Sequence, residues 1–291
     1  MLGIIGIVIV FVMVFGGYML AGGSFGIILK ALPYEMMMIA GAAVGAFAIA
    51  NDGHGVKQTL GALGMVFKGP KWKAADYRDL LVMLHDLLRI GKQNPVALEE
   101  HIEKPEESSI FTAYPRILAD KETVATICDT LRSASMNYDD PHQVEEVLDK
   151  RTEARLHHAM HSSHALQTVA DGLPALGIVA AVLGVIKTMS SIDQPPAILG
   201  KMIGGALVGT FLGVFLAYAF VGPFATKVKL IVEEDHHFNL LVKEVLVAYL
   251  HKHAPNICIE VGRQNTPLGL RPSFDEMEEA MRGSTLSAVA A

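Results

Sequence analysis

An all-α membrane protein is the fold class this sequence predicts: four transmembrane helices, a helical cytoplasmic domain between spans 2 and 3, and a cytoplasmic C-terminal tail. Three observations carry that reading. Of the 291 residues, 51% are hydrophobic and mean hydropathy is +0.37, which sets the chain apart from soluble domains. Its apolar runs are long enough to cross a bilayer, which takes roughly 20 residues at 1.5 Å rise. The polar stretches between them show helical periodicity, and none reads as a strand.

The first run, Leu2 to Leu20, has no Lys or Arg ahead of it. A cleaved leader needs a basic start, a shorter core and a small-residue cleavage site, so a retained span is expected. Gly22, Gly23 and Ser24 end it, and a turn is expected through Leu32-Pro33 before a second run from Tyr34 to Ala50. Glu35 then falls at the outer end of that run, where headgroups or water would solvate it. Lys57, Lys68, Lys71 and Lys73 follow the second span and Lys227 and Lys229 the fourth, against Lys30 alone in the first short loop and Lys187 and Lys201 flanking the second. Basic residues gathered after the even-numbered spans put both termini in the cytoplasm.

The sequence divides by composition into residues 1–50 (spans 1 and 2), 51–170 (soluble domain), 171–226 (spans 3 and 4) and 227–291 (tail). In the soluble domain Leu80, Leu81, Leu84, Leu87 and Leu88 make one apolar face of a helix from Tyr77 to Ile90. Asn94-Pro95 reads as a cap and first position of a short helix through Ile102. Further amphipathic helices are expected from Glu122 to Leu131 and from Pro141 onward. The tail is expected to stay helical to about Tyr249, turn irregular through Pro255 and Pro267, and close with a helix from Ser273, whose hydroxyl caps Glu276.

The chain is organised around Asp171 to Lys227, two apolar arms joined by the polar turn at Ser190–Pro196. Small residues recur every fourth position: Gly177/Ala181 and Ala180/Gly184 in the first arm, Gly205/Gly209/Gly213/Ala217 in the second. The stripe serves either packing of the chain's own spans or the approach of a partner's helix. Pro174 and Pro223 have two readings as well, helix boundaries or the weakened joint of a hinged helix pair.

No phosphate-binding glycine loop, CxxC pair or nucleophile elbow occurs, and a net charge of −6 is no nucleic-acid footprint. Cys128 and Cys258 lie outside the apolar runs and are expected reduced. His157, His161 and His164 fall on one helical face like metal ligands, yet no carboxylate or thiolate completes a set, and a polar helix face is the expected reading; no metal or cofactor is expected. Lys92 and Glu99 belong to a charged stretch that reads as a solvated surface. Proton relays run through Asp, Glu or His facing an interior path. The spans offer essentially Thr210, with Tyr218 lower down, so an ion-handling carboxylate is expected from another polypeptide.

The stretches from Asp171 (DGLPALGIVAAV) and Val208 (VGTFLGVFLAY) resemble the MotA family of flagellar motor stator proteins, within the MotA/TolQ/ExbB superfamily. So do those from Val14 (VFGGY), Phe111 (FTAYPRILAD) and Arg271 (RPSFDEMEE), in order along nearly the whole chain. The resemblance implies a non-enzymatic stator subunit in the bacterial inner membrane, coupling proton flow to torque. It implies Pro174 and Pro223 as torque-coupling hinges and Lys92 and Glu99 as rotor-facing charges, with Arg89 able to stand in for Lys92. It also implies Thr210 on the ion path, with Ala181 at the third-span position where sodium-driven relatives carry a threonine. The implied partners are a FliG-like rotor and a MotB-like single-span chain carrying the ion-binding aspartate and a peptidoglycan-binding domain, in an assembly of five copies around two partner chains. The nearest alternative is an ExbB/TolQ-type energy transducer, against which the fourth span argues. A self-contained channel and a histidine metalloenzyme are more distant alternatives.

Overall fold

A computed structural model describes residues 2–135 and 140–284, and every regular element among them is helical. Among the described residues four helices are long and apolar enough to cross a membrane. The chain forms two compact units, Met1–Gly69 with Ala159–Val232 and Pro70–His158 with Glu233–Ala291. The composition change at Asn51 is therefore not where the first unit ends. Helix Gly53–Lys68 belongs with the apolar unit, where Phe67 meets Phe224 edge-on at 6.0 Å.

In the apolar unit, span 1 covers residues 2–20, with a π turn at Val12–Gly16. Its large side chains, Ile4, Ile5, Val8 and Met13 among them, are exposed, as lipid or a second chain requires. Aromatic contacts hold it to span 4: Phe11 and Phe15 meet Phe215 at 5.9 and 5.5 Å, and Phe11 meets Phe220 at 5.5 Å. Such pairs contribute about 0.5–1.5 kcal/mol beyond their burial.

Span 2 is the single helix Phe25–Ala50, so the turn expected at Leu32-Pro33 does not form. Ser24 starts the helix, its hydroxyl accepting from the Gly26 amide at 3.4 Å. Pro33 removes only the bond to the carbonyl of Leu29, a loss that a long helix packed among others tolerates.

Pro174 and Pro223 do not bound helices either. Pro174 lies inside the helix Pro141–Met189. Span 4 runs through Pro196–Leu216, a π turn at Ala217–Val221 and Gly222–Leu250, with Pro223 two residues past the π turn. A proline has no N–H to give the preceding turn, and a widened turn is a common way for a helix to absorb that gap.

The other unit is built around helix Ala74–Gln93, whose Leu80, Leu81, Leu84, Leu87 and Leu88 are fully buried. Val82, Met83 and Asp86 are buried too, so the helix is wrapped rather than one-faced. Helices Pro95–Glu103, Pro255–Asn265 and Phe274–Arg282 pack around it. Trp72 stacks on Phe238 at 3.9 Å beside it. The stretch after Pro255 is helical rather than irregular, because proline at the first position gives up an N–H that had no partner there. Ser273 caps Glu276 as expected: its Oγ accepts from the Glu276 amide at 3.1 Å, and Glu276 Oε2 accepts from its N–H at 2.7 Å.

Asp120 ties this unit together. Burial would raise its carboxyl, but hydrogen bonds from Lys71 and the Thr123 amide and the charge of Arg155 hold it below the usual range. A depressed carboxylate stabilises the fold at neutral pH, and that contribution is lost as pH falls through its folded value. Burial also pushes the Cys128 thiol up to about 12, so it packs as an inert small hydrophobe.

Leu84→Ala in the full chain should cost about 2–5 kcal/mol of stability, the range for a buried leucine truncation. Thermal unfolding of the detergent-solubilised protein measures this. An unchanged midpoint would contradict the central position assigned to Ala74–Gln93.

Candidate functional site

Spans 3 and 4 approach so closely that side chains have no room between them. A Cβ added at Gly213 would lie 2.6 Å from the Leu173 carbonyl oxygen and 2.8 Å from the Gly177 Cα. One at Gly184 would lie 2.6 Å from Ala206 Cβ. The four-residue spacing of small residues is thus used largely within the chain, and the stripe is not left open for a partner's helix along its length. Further along the pair, Ser163 Oγ donates to the Ala225 carbonyl at 3.0 Å.

Span 2 packs on this pair through Ile39 and Ala43, against Leu173, Ala180, Val208 and Leu212. On the same face lies Glu35, which corrects the expectation of a solvated carboxylate at the run's outer end. The residue is 6% exposed, and its Oε2 has no hydrogen-bond partner. A Cβ at Gly209 would meet that oxygen at 2.5 Å and Ala180 Cβ at 3.2 Å. The packed faces of the candidate spans therefore do include a carboxylate. Glu35 escaped sequence reasoning because the turn placed at Leu32-Pro33 put it near a helix end. With the helix starting at Phe25, the same residue is a lone acid well inside an apolar helix, which is itself a functional signal.

Thr210 and Ala181 are each one residue past Gly209 and Ala180, and both are half-buried. At 3.6 residues per turn they point about 100° away from the Glu35 side. The hydroxyl and the methyl that the family resemblance implies on an ion path thus turn to different faces of spans 4 and 3 from those that cover Glu35.

A cavity of about 790 Å³ opens between spans 2, 3 and 4, lined by Lys30, Tyr34, Glu35, Lys187, Thr188 and Lys201 among others. A second, of about 260 Å³, is lined by Phe47, Asn51, His161, His164, Thr168 and Gly172. His161 and His164 are wall residues of that space. The group that brings histidine and carboxylate atoms within 4.8 Å of one another among the described residues is instead His142, Glu145 and His251.

In the other unit, Lys92 lies in the last turn of helix Ala74–Gln93 and Glu99 on helix Pro95–Glu103; Asn94 separates the two helices and both side chains are exposed. Leu98 and Ile102 are the buried residues of the second helix. The neighbouring acids Glu103 and Glu107 are taken up by Arg132 at 2.7 Å and Lys104 at 3.1 Å. Pro174 is half-buried and Pro223 exposed.

The family model for the motility protein A N-terminal region matches residues 4–95, and that of the MotA/TolQ/ExbB proton channel family matches residues 119–237. The chain is 41% identical to motility protein A of Escherichia coli over 283 residues, covering 97% of this chain and 95% of that one. It is 36% identical over 276 residues to chemotaxis protein LafT of Vibrio parahaemolyticus, covering 94% and 96%. Its fold is similar to that of the Campylobacter jejuni MotAB structure (TM-score 0.73, 18% identity, 94% of this chain and 98% of that one). It is similar also to the MotAB stator complex of Bacillus subtilis (TM-score 0.69, 23% identity, 95% and 98%). Identity at this level over almost the whole of both chains means that this chain belongs to the motility protein A family.

Proposed function

We propose that this chain is the stator subunit of a bacterial flagellar motor, a non-enzymatic multi-pass protein of the inner membrane with both termini in the cytoplasm. It couples proton flow, through a channel shared with a MotB-like partner, to torque on the rotor. The observation that carries this is the near end-to-end likeness to motility protein A of Escherichia coli. The four-span architecture supports it against an ExbB/TolQ-type transducer, since those proteins usually have three spans. The partner contributes a membrane aspartate and a peptidoglycan-binding domain, and five copies of this chain surround two of the partner.

The energetics fit. One unit charge crossing the membrane releases roughly 2.3 kcal/mol per 100 mV. That matches a few exposed charge contacts made and broken, each worth up to ~1 kcal/mol. Exposed Lys92 and Glu99 are available for such contacts with a FliG-like rotor. Pro174 and Pro223, each inside a helix where one backbone bond is missing, are the flexing points of the hairpin.

Pro174→Ala and Pro223→Ala should leave the chain in the membrane with its partner while motility is lost. Membrane immunoblots and swarm plates measure the two, and torque that survives both replacements removes the hinge role. Glu99→Lys should impair swimming, and reversal of a rotor charge should restore part of it. No rescue by any rotor charge reversal would count against direct pairing.

Motility should persist in sodium-free medium and stop with a protonophore. A dehydrated sodium ion needs several oxygen ligands, and Ala181 offers none beside Thr210. Swimming that dies without sodium and tolerates the protonophore would overturn the choice of ion.

A further inference from the structure

The ion path proposed above borrows its carboxylate from a partner chain, yet this chain buries one of its own. Glu35 lies ten residues into helix Phe25–Ala50, roughly 15 Å along its axis. Ionisable groups buried within a span are costly and persist where they pair, line a cavity or carry an ion. Oε2 of Glu35 pairs with nothing. Span 4 has a glycine directly opposite it, and any side chain at 209 would strike that oxygen. Packing alone would be served better by an apolar side chain at 35.

The side chain also borders open space. The cavity of about 790 Å³ includes Glu35 in its wall. Its lining residues near the chain's two short loops are Ser24, Gly26, Lys187 and Lys201, so its mouth belongs to the end of the unit where spans 1 and 2, and 3 and 4, are joined. The titratable groups facing the cavity are Lys30 and Tyr34 from span 2, Lys187 from span 3 and Lys201 from span 4.

We propose that Glu35 is a second proton-binding carboxylate of the ion path, supplied by this chain and loaded from water in that cavity. The ionised carboxylate takes a proton from a hydronium ion, leaving water behind. The neutral acid then gives the proton to the next acceptor inward, a water or the partner's carboxylate, and the charge at Glu35 is restored. Oε2 of Glu35 is buried and has no hydrogen-bond partner among the described residues, so a proton taken there breaks no existing hydrogen bond of that oxygen. The proposal rests on the reading of the chain as a proton-driven stator subunit.

Two measurements test it. In cells carrying the partner, Glu35→Gln should keep normal membrane levels and partner co-purification but lower tethered-cell torque several-fold. The deficit should deepen as the medium is made more alkaline, while Glu35→Asp should restore most of the torque. Normal torque of Glu35→Gln at every pH overturns the proposal. Motility of the unaltered protein that still stops with a protonophore would show that the stator reading stands without it. Because Glu35→Gln could fail to accumulate, the purified unaltered complex is also treated with a hydrophobic carbodiimide, which reacts with protonated carboxyls. Mass spectrometry should find the adduct on the peptide containing Glu35, increasing as pH is lowered. No adduct at any pH overturns the proposal whatever the variants do.

Discussion

The backbone-to-backbone contact of spans 3 and 4 at Gly177 and Gly213 is the constraint on which the apolar unit depends. In lipid, water supplies no drive to press helices together, so close van der Waals contact must do it. Small residues at 177, 184, 206 and 213 bring the two axes close. That closeness sets the groove into which span 2 fits Ile39 and Ala43. It also decides where side chains with chemistry stand. Ala180 and Gly209 cover Glu35, and their neighbours Ala181 and Thr210 turn elsewhere.

The other unit is held by an opposite logic. Its core is a leucine-rich helix enclosed on nearly every side, and the buried acid Asp120 is paired in place between Lys71 and Arg155. A wrapped hydrophobic helix is a stiff element, because interiors are close-packed and transmit strain. The charges left exposed, Lys92 and Glu99, sit at the rim of that stiff body. A contact made there is met by rigid structure rather than by a yielding loop.

Much of this was legible in the sequence. Long apolar runs and amphipathic leucines gave the helices at 2–20, Ala74–Gln93 and Lys121–Ser135, because hydrophobic periodicity reports directly on burial. The Ser273 cap was readable because its partner lies three residues away. Proline misled at two places, Pro33 and Pro255, and at Pro174 and Pro223 it left a boundary and a weakened joint both open. Pro33, Pro174, Pro223 and Pro255 all lie in helices, since a lost backbone bond is tolerated within a long packed helix, absorbed beside a π turn or harmless at a first position. The error at Pro33 had the largest effect, because it moved Glu35 from the interior to an end. The use of the small-residue stripe was open for another reason. Glycine spacing shows that something approaches closely, and only the three-dimensional arrangement shows that it is largely the chain's own helix.

The pairing of Glu35 with Gly209 has a consequence for inheritance. The two positions are 174 residues apart in sequence, yet the carboxylate oxygen occupies the volume that any larger residue at 209 would claim. Neither can change freely while the other stays. A descendant that gains a side chain at 209 must at least move the carboxylate at 35, and one that loses the acid relieves the nearer of the two contacts at 209, leaving that with Ala180 Cβ at 3.2 Å. Across diverging lineages positions 35 and 209 are expected to drift as a unit, and their joint record would mark which lineages keep a carboxylate in the membrane.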